Sequence, residues 1–285
     1  MELPVRRVPA GFAFDPLAID ANAVADWLVA FLRDEVTRRR RMNKAVIGLS
    51  GGVDSAVVTY LCARAFGPEN TFVFRMPYRI SSPESLSHAQ LVVDDLGLPE
   101  RTIEITRMVD GYREPYETDA SDLRVGNLCA RARALILFDQ SAKLGALPIG
   151  TGNKTERLFG YYTWHGDDAP PINPLGDLFK VQVWALARAL GVPEPIVAKP
   201  PTADLVKGQT DEGDLGISYP EADAILAWYV TGENKAQLVA RGFRPAAVDI
   251  VMKRVEATHW KRHLPTVAMM SDTAINEYYL RPVDL

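Results

Sequence analysis

Two short glycine-rich stretches hold most of the side chains able to do chemistry. In the first, the apolar run Ala45-Val46-Ile47-Gly48-Leu49 stops at Ser50-Gly51-Gly52-Val53-Asp54-Ser55 and gives way to the helix-compatible Ala56-Val57-Val58-Thr59-Tyr60-Leu61. The pattern is strand, glycine turn, helix start. Adjacent glycines open backbone conformations closed to residues with a Cβ, so successive N–H groups can point at one anion with the positive end of a helix dipole behind it. Phosphate is the natural guest. The loop has neither a Gly-Lys-Ser/Thr ending nor a G-x-G-x-x-G spacing, so it is not a Walker P-loop or a dinucleotide fingerprint. A carboxylate, Asp54, stands between the hydroxyls of Ser50 and Ser55, where it would repel bare phosphate. That argues for a bridging divalent cation, most simply Mg²⁺, which takes one or two carboxylates together with phosphate oxygens. The second stretch, Gly150-Thr151-Gly152-Asn153-Lys154-Thr155-Glu156, again follows an apolar run, Ala146-Leu147-Pro148-Ile149, and again ends in a carboxylate.

The elements that must position these loops alternate. Thr71-Phe72-Val73-Phe74-Arg75-Met76 reads as a second strand stopped by Pro77. Ser82-Pro83 reads as an N-cap with proline in the first turn of a helix running to about Asp95 and closing at Gly97. Thr102 to Thr106 alternates like a strand. A helix from about Asn127 to Leu144 is expected to bury Leu128, Ala132, Leu135 and Phe138 and to end at Gly145. Beyond the second glycine turn, Tyr161 to Leu175 reads as loop, Leu178 to Leu190 as a helix closed by Gly191, and Pro193 to Tyr219 as a long irregular stretch holding Pro200-Pro201 and Asp211-Glu212-Gly213-Asp214. Loops of that length are commonly lids or disordered. Helices from about Glu221 to Tyr229 and Pro245 to Trp260 follow. Short apolar strands alternating with helices predict an α/β fold, a mostly parallel sheet with helices on both faces. Ligands of such sheets bind at the carboxyl ends of the strands, where both glycine turns lie.

Composition excludes several classes. A net charge of −4 provides no field for steering nucleic acid. Arg38-Arg39-Arg40-Arg41 ends a helical pattern built on Val24, Trp27, Leu28, Phe31 and Val36, where cations complement the helix C-terminus. Two cysteines, Cys62 and Cys129, give no disulfide framework or CxxC site, and four scattered histidines have no metal-ligand spacing. No apolar stretch is long enough to span a bilayer, and the first residues lack the apolar segment of a signal peptide. A cytoplasmic protein with no nucleic-acid or membrane partner is expected.

Ser50 to Ser55 after a buried strand resembles the signature of the ATP pyrophosphatase, or PP-loop, superfamily, which activates substrates as adenylates. With Gly150 to Glu156, Gly160-Tyr161, Asn173-Pro174-Leu175-Gly176-Asp177-Leu178, Lys180 and Lys199-Pro200-Pro201-Thr202-Ala203-Asp204-Leu205, the chain from about Ala45 to Arg262 resembles the ammonia-dependent NAD synthetases. The resemblance implies an adenine-nucleotide alpha-hydrolase-like fold over residues 1–285 as one domain, and amidation of deamido-NAD by ammonia through an adenylate, with AMP and pyrophosphate released. It implies Gly48, Leu49, Ser50, Gly51, Gly52, Val53, Asp54 and Ser55 as the ATP loop, with Thr151, Lys180 and Thr202 as further ATP contacts. Asp54 and Glu156 would be Mg²⁺ ligands, Asp54, Glu156 and Lys180 the catalytic set, and Arg131 and Lys261 contacts to deamido-NAD. It further implies a homodimer. Without room for a glutaminase domain, the nitrogen is expected as free ammonia or as ammonia passed from a separate glutaminase subunit. Taken singly, Glu156 reads equally as a helix-start carboxylate, Lys180 and Lys261 as solvated cations, Arg131 as a surface residue and Thr202 as a capping hydroxyl. The family often has lysines at the positions of Cys129 and Trp164, an aspartate at Pro171 and a histidine at Trp260. These departures put the acceptor's identity in question rather than the reaction type, and leave as alternatives a different carboxylate substrate or a non-catalytic adenine-nucleotide sensor.

Overall fold

The computed structural model describes residues 15–202, 210–263 and 266–271. Its sheet has four strands, β1 (Ala45–Gly48), β2 (Thr71–Arg75), β3 (Glu100–Thr102) and β4 (Leu147–Pro148), in the order β3-β2-β1-β4. Every pairing is parallel, with Ala45 opposite both Thr71 and Leu147. An isolated parallel bridge from Ile149 to Ile172 carries the sheet one step past β4.

Successive residues of β1 point to opposite faces and bury into different cores. Ala45 and Ile47 join Val73 beneath α1 (Ala21–Leu32), α2 (Val53–Phe66), α3 (Pro83–Leu96) and the later α7 (Lys180–Leu190) and α8 (Glu194–Val197). Val46 and Phe74 face α4 (Thr106–Tyr116) and α5 (Asp122–Leu144). A third cluster joins α6 (Lys154–Phe159), α9 (Asp211–Leu215), α10 (Tyr219–Tyr229), α11 (Lys235–Ala240) and α12 (Pro245–Ala257), and Trp184 of α7 packs against both this cluster and the first. The chain leaves β1 toward β2 on one side and returns on the other as β4. The crevice between the ends of β1 and β4 is therefore a topological switch point, where open α/β sheets place ligands. Both glycine turns emerge there.

Local chemistry accounts for the helix limits. Ser82 and Ser121 accept hydrogen bonds from first-turn amides of α3 and α5, and Gly97, Gly145 and Gly191 close α3, α5 and α7 in the left-handed conformation. Several expectations are corrected. The third strand is Glu100–Thr102, exposed along its length and defined by its pairing to β2. Ile103 and Ile105 continue the contact through amides donated to Arg75 and Pro77, and a helix, α4, follows at once. As expected, the basic run ends the first helix, here through a π-helical continuation of α1, Arg33–Arg39, with Arg38 and Arg39 on Asp34 and Arg40 on Glu35.

On α5 the sheet takes the stripe Gly126, Cys129, Ile136 and Leu137. Leu128 and Ala132 pack partway against it, whereas Leu135 and Phe138 are 62% and 43% exposed. The helix carries two neighbouring apolar stripes, and the sheet covers one of them. The stretch from Pro193 to Tyr219 contains α8 and α9. Residues 203–209 of the expected lid lie outside the described residues.

Candidate active site

The first glycine turn is built as an amide cradle. Ser55 Oγ donates to the Gly52 carbonyl and accepts from the Ser50 amide at 3.2 Å, while Ser50 Oγ accepts from the Gly52 amide at 3.2 Å. Gly52 is the N-cap of α2 and no side chain caps this helix, so its first-turn amides remain available to a ligand. Gly51 is required twice. Its φ is +83°, and a Cβ there would stand 2.1 Å from the Ser85 carbonyl oxygen of α3.

The second turn delivers Glu156 to the same place. Asn153, fully buried, caps α6: its Oδ1 accepts from the Glu156 amide at 2.9 Å, and Glu156 Oε2 accepts from the Asn153 amide at 3.1 Å. The Asn153 Nδ2 donates to Asp54 Oδ1 at 2.9 Å, tying the two turns together across 99 residues of chain. Lys180 completes the set. Its Nζ donates to Asp54 Oδ2 and lies 3.6 Å from Glu156 Oε1, with the lysine side chain 2% exposed. Two distant carboxylates thus face one buried ammonium.

The electrostatics of this cluster are unbalanced. Burial first, and the neighbouring Asp54 second, push the Glu156 carboxyl up to about 8 against the pull of Lys180. Burial works to strip the Lys180 ammonium of its proton, but Asp54 and Glu156 outweigh it and hold the group above the usual lysine range. One lysine does not fully neutralise two half-buried carboxylates. A divalent cation entering with phosphate oxygens would supply the missing charge. Among the described residues no group of three or more His, Cys, Asp or Glu forms a closed metal site. Two carboxylates and no nitrogen or sulfur donor suit Mg²⁺, which completes its shell with water and phosphate.

Residues that the sequence did not single out hold Lys180 in place. Asp223, fully buried, accepts from Thr155 Oγ1 at 2.5 Å and from the Val181 amide at 2.9 Å, and Thr155 Oγ1 accepts from the Lys180 amide at 3.0 Å. Burial raises the Asp223 carboxyl to about 6. Asp211, from the acidic segment read as irregular loop, is buried at the N-terminus of α9, where its carboxylate accepts from Tyr219 Oη at 3.0 Å and Tyr161 Oη at 3.2 Å. Nothing in the local sequence marks Asp223 or Asp211. Asn153 had a signal, the spacing Asn-x-x-Glu of a capping box.

Asp54, Glu156, Lys180 and Asp211 line a cavity of about 580 Å³, within the range of small-molecule sites, with Asp223, Thr155 and Asn153 buried behind them. Gly48, Leu49, Ser50, Gly52, Val53, Asp54, Ser55, Thr151, Glu156, Lys180, Thr202 and Lys261 all line it. Gly51 instead packs on α3. Arg131 is exposed and outside this cavity, its guanidinium donating to the Trp164 carbonyl at 3.2 Å. Arg133, two residues on, does line the cavity, with Nε on the Met76 carbonyl. Lys261 Nζ donates to the carbonyls of Gly160 and Tyr162 at 2.7 and 2.8 Å, so it fixes the wall it lines. Two of the departures from the family pattern meet in space: Trp164 stacks on His165 at 4.2 Å and meets Trp260 edge-on at 5.3 Å.

A glycine cradle at the switch point of a parallel sheet, with two carboxylates and a lysine converging on it, defines a class, the α/β proteins that bind nucleotide phosphates. Comparison with known proteins narrows the class. The family model for NAD synthase matches residues 24–265. The NH(3)-dependent NAD(+) synthetase of Trichlorobacter lovleyi is 47% identical over 261 residues, covering 91% of this chain and 95% of that protein. That of Fusobacterium nucleatum is 45% identical over 254 residues, covering 88% and 97%. Among solved structures, the NH3-dependent NAD synthetase from Campylobacter jejuni superposes with a TM-score of 0.76 at 31% identity, covering 88% of this chain and all of that one. The NMN synthetase from Francisella tularensis gives 0.79 at 28% identity, covering 88% and 99%. The chain belongs to the NAD synthase family.

Proposed function

We propose that this protein converts deamido-NAD to NAD, using ATP to activate the nicotinate carboxylate and ammonia as the nitrogen source. The observation that carries the reading is the convergence of Asp54 and Glu156 on Lys180 beside the uncapped amides of α2, in a chain of this family. A carboxylate is a poor electrophile because its leaving group would be oxide. Attack of a carboxylate oxygen on the α-phosphorus of ATP forms an O–P bond and breaks the Pα–O bond to pyrophosphate, which leaves with the electron pair. The resulting acyl adenylate takes up ammonia at the acyl carbon. The C–O bond then breaks, AMP departs, and the new nitrogen gives up a proton.

In this chain the α2 amides and the Ser50–Ser55 turn would hold phosphate oxygens. Asp54 and Glu156 would hold Mg²⁺, which when bound offsets charge on those oxygens. Lys180 would supply a fixed positive charge that needs no reorganisation as the bond breaks. Thr151 and Thr202 would bind ATP from the cavity wall, and Lys261 and Arg131 would serve deamido-NAD from the rim. Arg131 lies outside the cavity in a single chain, which fits a dinucleotide running across a subunit boundary.

A homodimer is part of the reading. Its support is that α4 and α5 leave the large apolar side chains of Met108, Tyr112, Tyr116, Leu135 and Phe138 exposed. The protein is expected to sediment as a dimer and Leu135→Glu as a monomer; a monomeric parent would remove the dimer from the account. No helix among the described residues is long and apolar enough to cross a membrane. The buried free thiols Cys62 and Cys129 suit a reducing cytoplasm.

The experiment for the function is a panel of acids, deamido-NAD and nicotinate mononucleotide among them, assayed for ATP- and ammonia-dependent release of AMP. Turnover of deamido-NAD with a kcat/KM at least about tenfold above the mononucleotide is expected, roughly the discrimination that 1.4 kcal/mol of extra binding gives. Turnover of another acid in its place would overturn the substrate, and ATP binding with no turnover on any acid would favour a nucleotide sensor.

A further inference from the structure

Among the cations lining the cavity, most are committed to buried or backbone partners. Lys180 is held by Asp54 and Glu156, and Lys261 by the carbonyls of Gly160 and Tyr162. Arg75 pairs with Glu100 and Gln90, and Arg133 is on the Met76 carbonyl. Lys199 differs. Its side chain is 12% exposed, its Nζ donates to Ser85 Oγ at 3.1 Å, and its ionic partner is Glu84 Oε2 at 3.7 Å. The Glu84 side chain is 62% exposed, so the pair is long, solvent-screened and weak. A lysine so placed can exchange its carboxylate for a phosphate at little cost.

Its location says which anion. Ser85 is the residue whose carbonyl packs against Gly51, so Lys199 stands on the α3 flank of the phosphate-binding turn, beside the residues that shape it. Asp54, Glu156 and Lys180 gather at a different point, where the α2 N-terminus meets α6 and α7. The cavity therefore has a positive group separate from the carboxylate cluster and next to the same turn. A triphosphate seated on the turn has one end committed to the reacting α-phosphorus and the other, the pyrophosphate end, in need of a cation.

We propose that Lys199 is a catalytic residue that releases Glu84 when ATP binds and ion-pairs with the β- and γ-phosphoryl groups. There it stabilises the charge that collects on pyrophosphate as the Pα–O bond breaks and the electron pair moves to the departing oxygen. The inference rests on the adenylating reading of this site and adds a residue to it. No proton transfer is required, because the ammonium acts as a charge and hydrogen-bond donor.

The test uses the full-length protein and inorganic pyrophosphate as a product inhibitor and in ATP–pyrophosphate exchange, with deamido-NAD as the acid. Lys199→Met is expected to raise the inhibition constant of pyrophosphate about tenfold and slow exchange by a similar factor, the loss of one charge-assisted contact, while the inhibition constant of AMP stays put. Lys199→Arg should recover most of the loss. Glu84→Gln removes the resting partner and should leave both constants within about twofold of the parent, since an exposed pair contributes little. Equal weakening of pyrophosphate and AMP by Lys199→Met, or reproduction of its defect by Glu84→Gln, would reduce Lys199 to a strut between residues 199–202 and α3. A parent enzyme that ignores deamido-NAD would instead defeat the functional reading, which separates the two failures.

Discussion

Asp54→Asn is expected to abolish pyrophosphate release, by at least about a thousandfold in kcat, in a protein that stays folded. The size follows from losing a full charge where transition-state charge is balanced, where even one neutral donor is commonly worth about a hundred- to a thousandfold. The asparagine is nearly isosteric and keeps an oxygen able to accept from either Asn153 Nδ2 or Lys180 Nζ, the two partners of Asp54. What it lacks is the anionic charge that lets a carboxylate bind a divalent cation. Asp54 lies in the first turn of α2, where losing its charge costs about 0.5 kcal/mol against the helix dipole, and Lys180 keeps Glu156 at 3.6 Å as an ionic partner, so the stability loss should stay smaller than that of removing the lysine. A coupled pyrophosphate assay with circular dichroism on the same sample checks both parts. Near-normal release would remove Asp54 from the phosphate chemistry.

Lys180→Met should have the second-largest effect, and on two properties together. It leaves Asp54 and Glu156 facing one another without the ammonium that both touch. Breaking a buried ion pair from one side costs about 3–5 kcal/mol, much of it the penalty of the charge left behind. Part of that cost is relieved when the Glu156 carboxyl holds its proton, which the site already favours up to about pH 8. The sign follows from Glu156 alone: its raised carboxyl costs stability as the pH climbs until it ionises, near pH 8 in the parent and higher in the variant, where Lys180 no longer favours the charge, so the variant's deficit against the parent should widen from pH 6 to pH 9, mostly above pH 8. Chemical denaturation of both proteins across that range measures it. A deficit that shrinks as the pH rises would mean that the carboxylates do not depend on Lys180, and the loss of adenylation activity expected with it would then need another cause.

Much of the site was legible because glycine and proline punctuate the chain around it. Gly51-Gly52 and Gly150-x-Gly152 each follow an apolar strand, and the parallel alternation of strands and helices puts both at one sheet edge, so Asp54 and Glu156 could be paired from sequence. Gly97, Gly145 and Gly191 marked three helix ends for the same local reason. Asp223 and Asp211 were not legible, since each acts on partners brought near only by the tertiary fold, Asp223 reaching Thr155 across 68 residues. The short β3 failed for a related reason: Glu100-Arg101-Thr102 has no apolar pattern, and its neighbour β2 makes it a strand. On α5 the periodicity was real, but two apolar stripes competed, and the shape of the sheet chose between them. Arg131 and Arg133 lie two positions apart on that helix, where a 200° rotation separates a rim residue from a cavity-lining one.

The central claim, that Asp54 and Glu156 share one nucleotide-bound cation, is tested most directly by a crystal structure with a non-hydrolysable ATP analogue and Mn²⁺ in place of Mg²⁺, read by anomalous scattering. The account predicts a single manganese peak within direct coordination distance of an oxygen of each carboxylate and of phosphate oxygens resting on the α2 amides. A manganese held by phosphate alone, or by carboxylates elsewhere in the cavity with Asp54 and Glu156 still turned to Lys180, would contradict it.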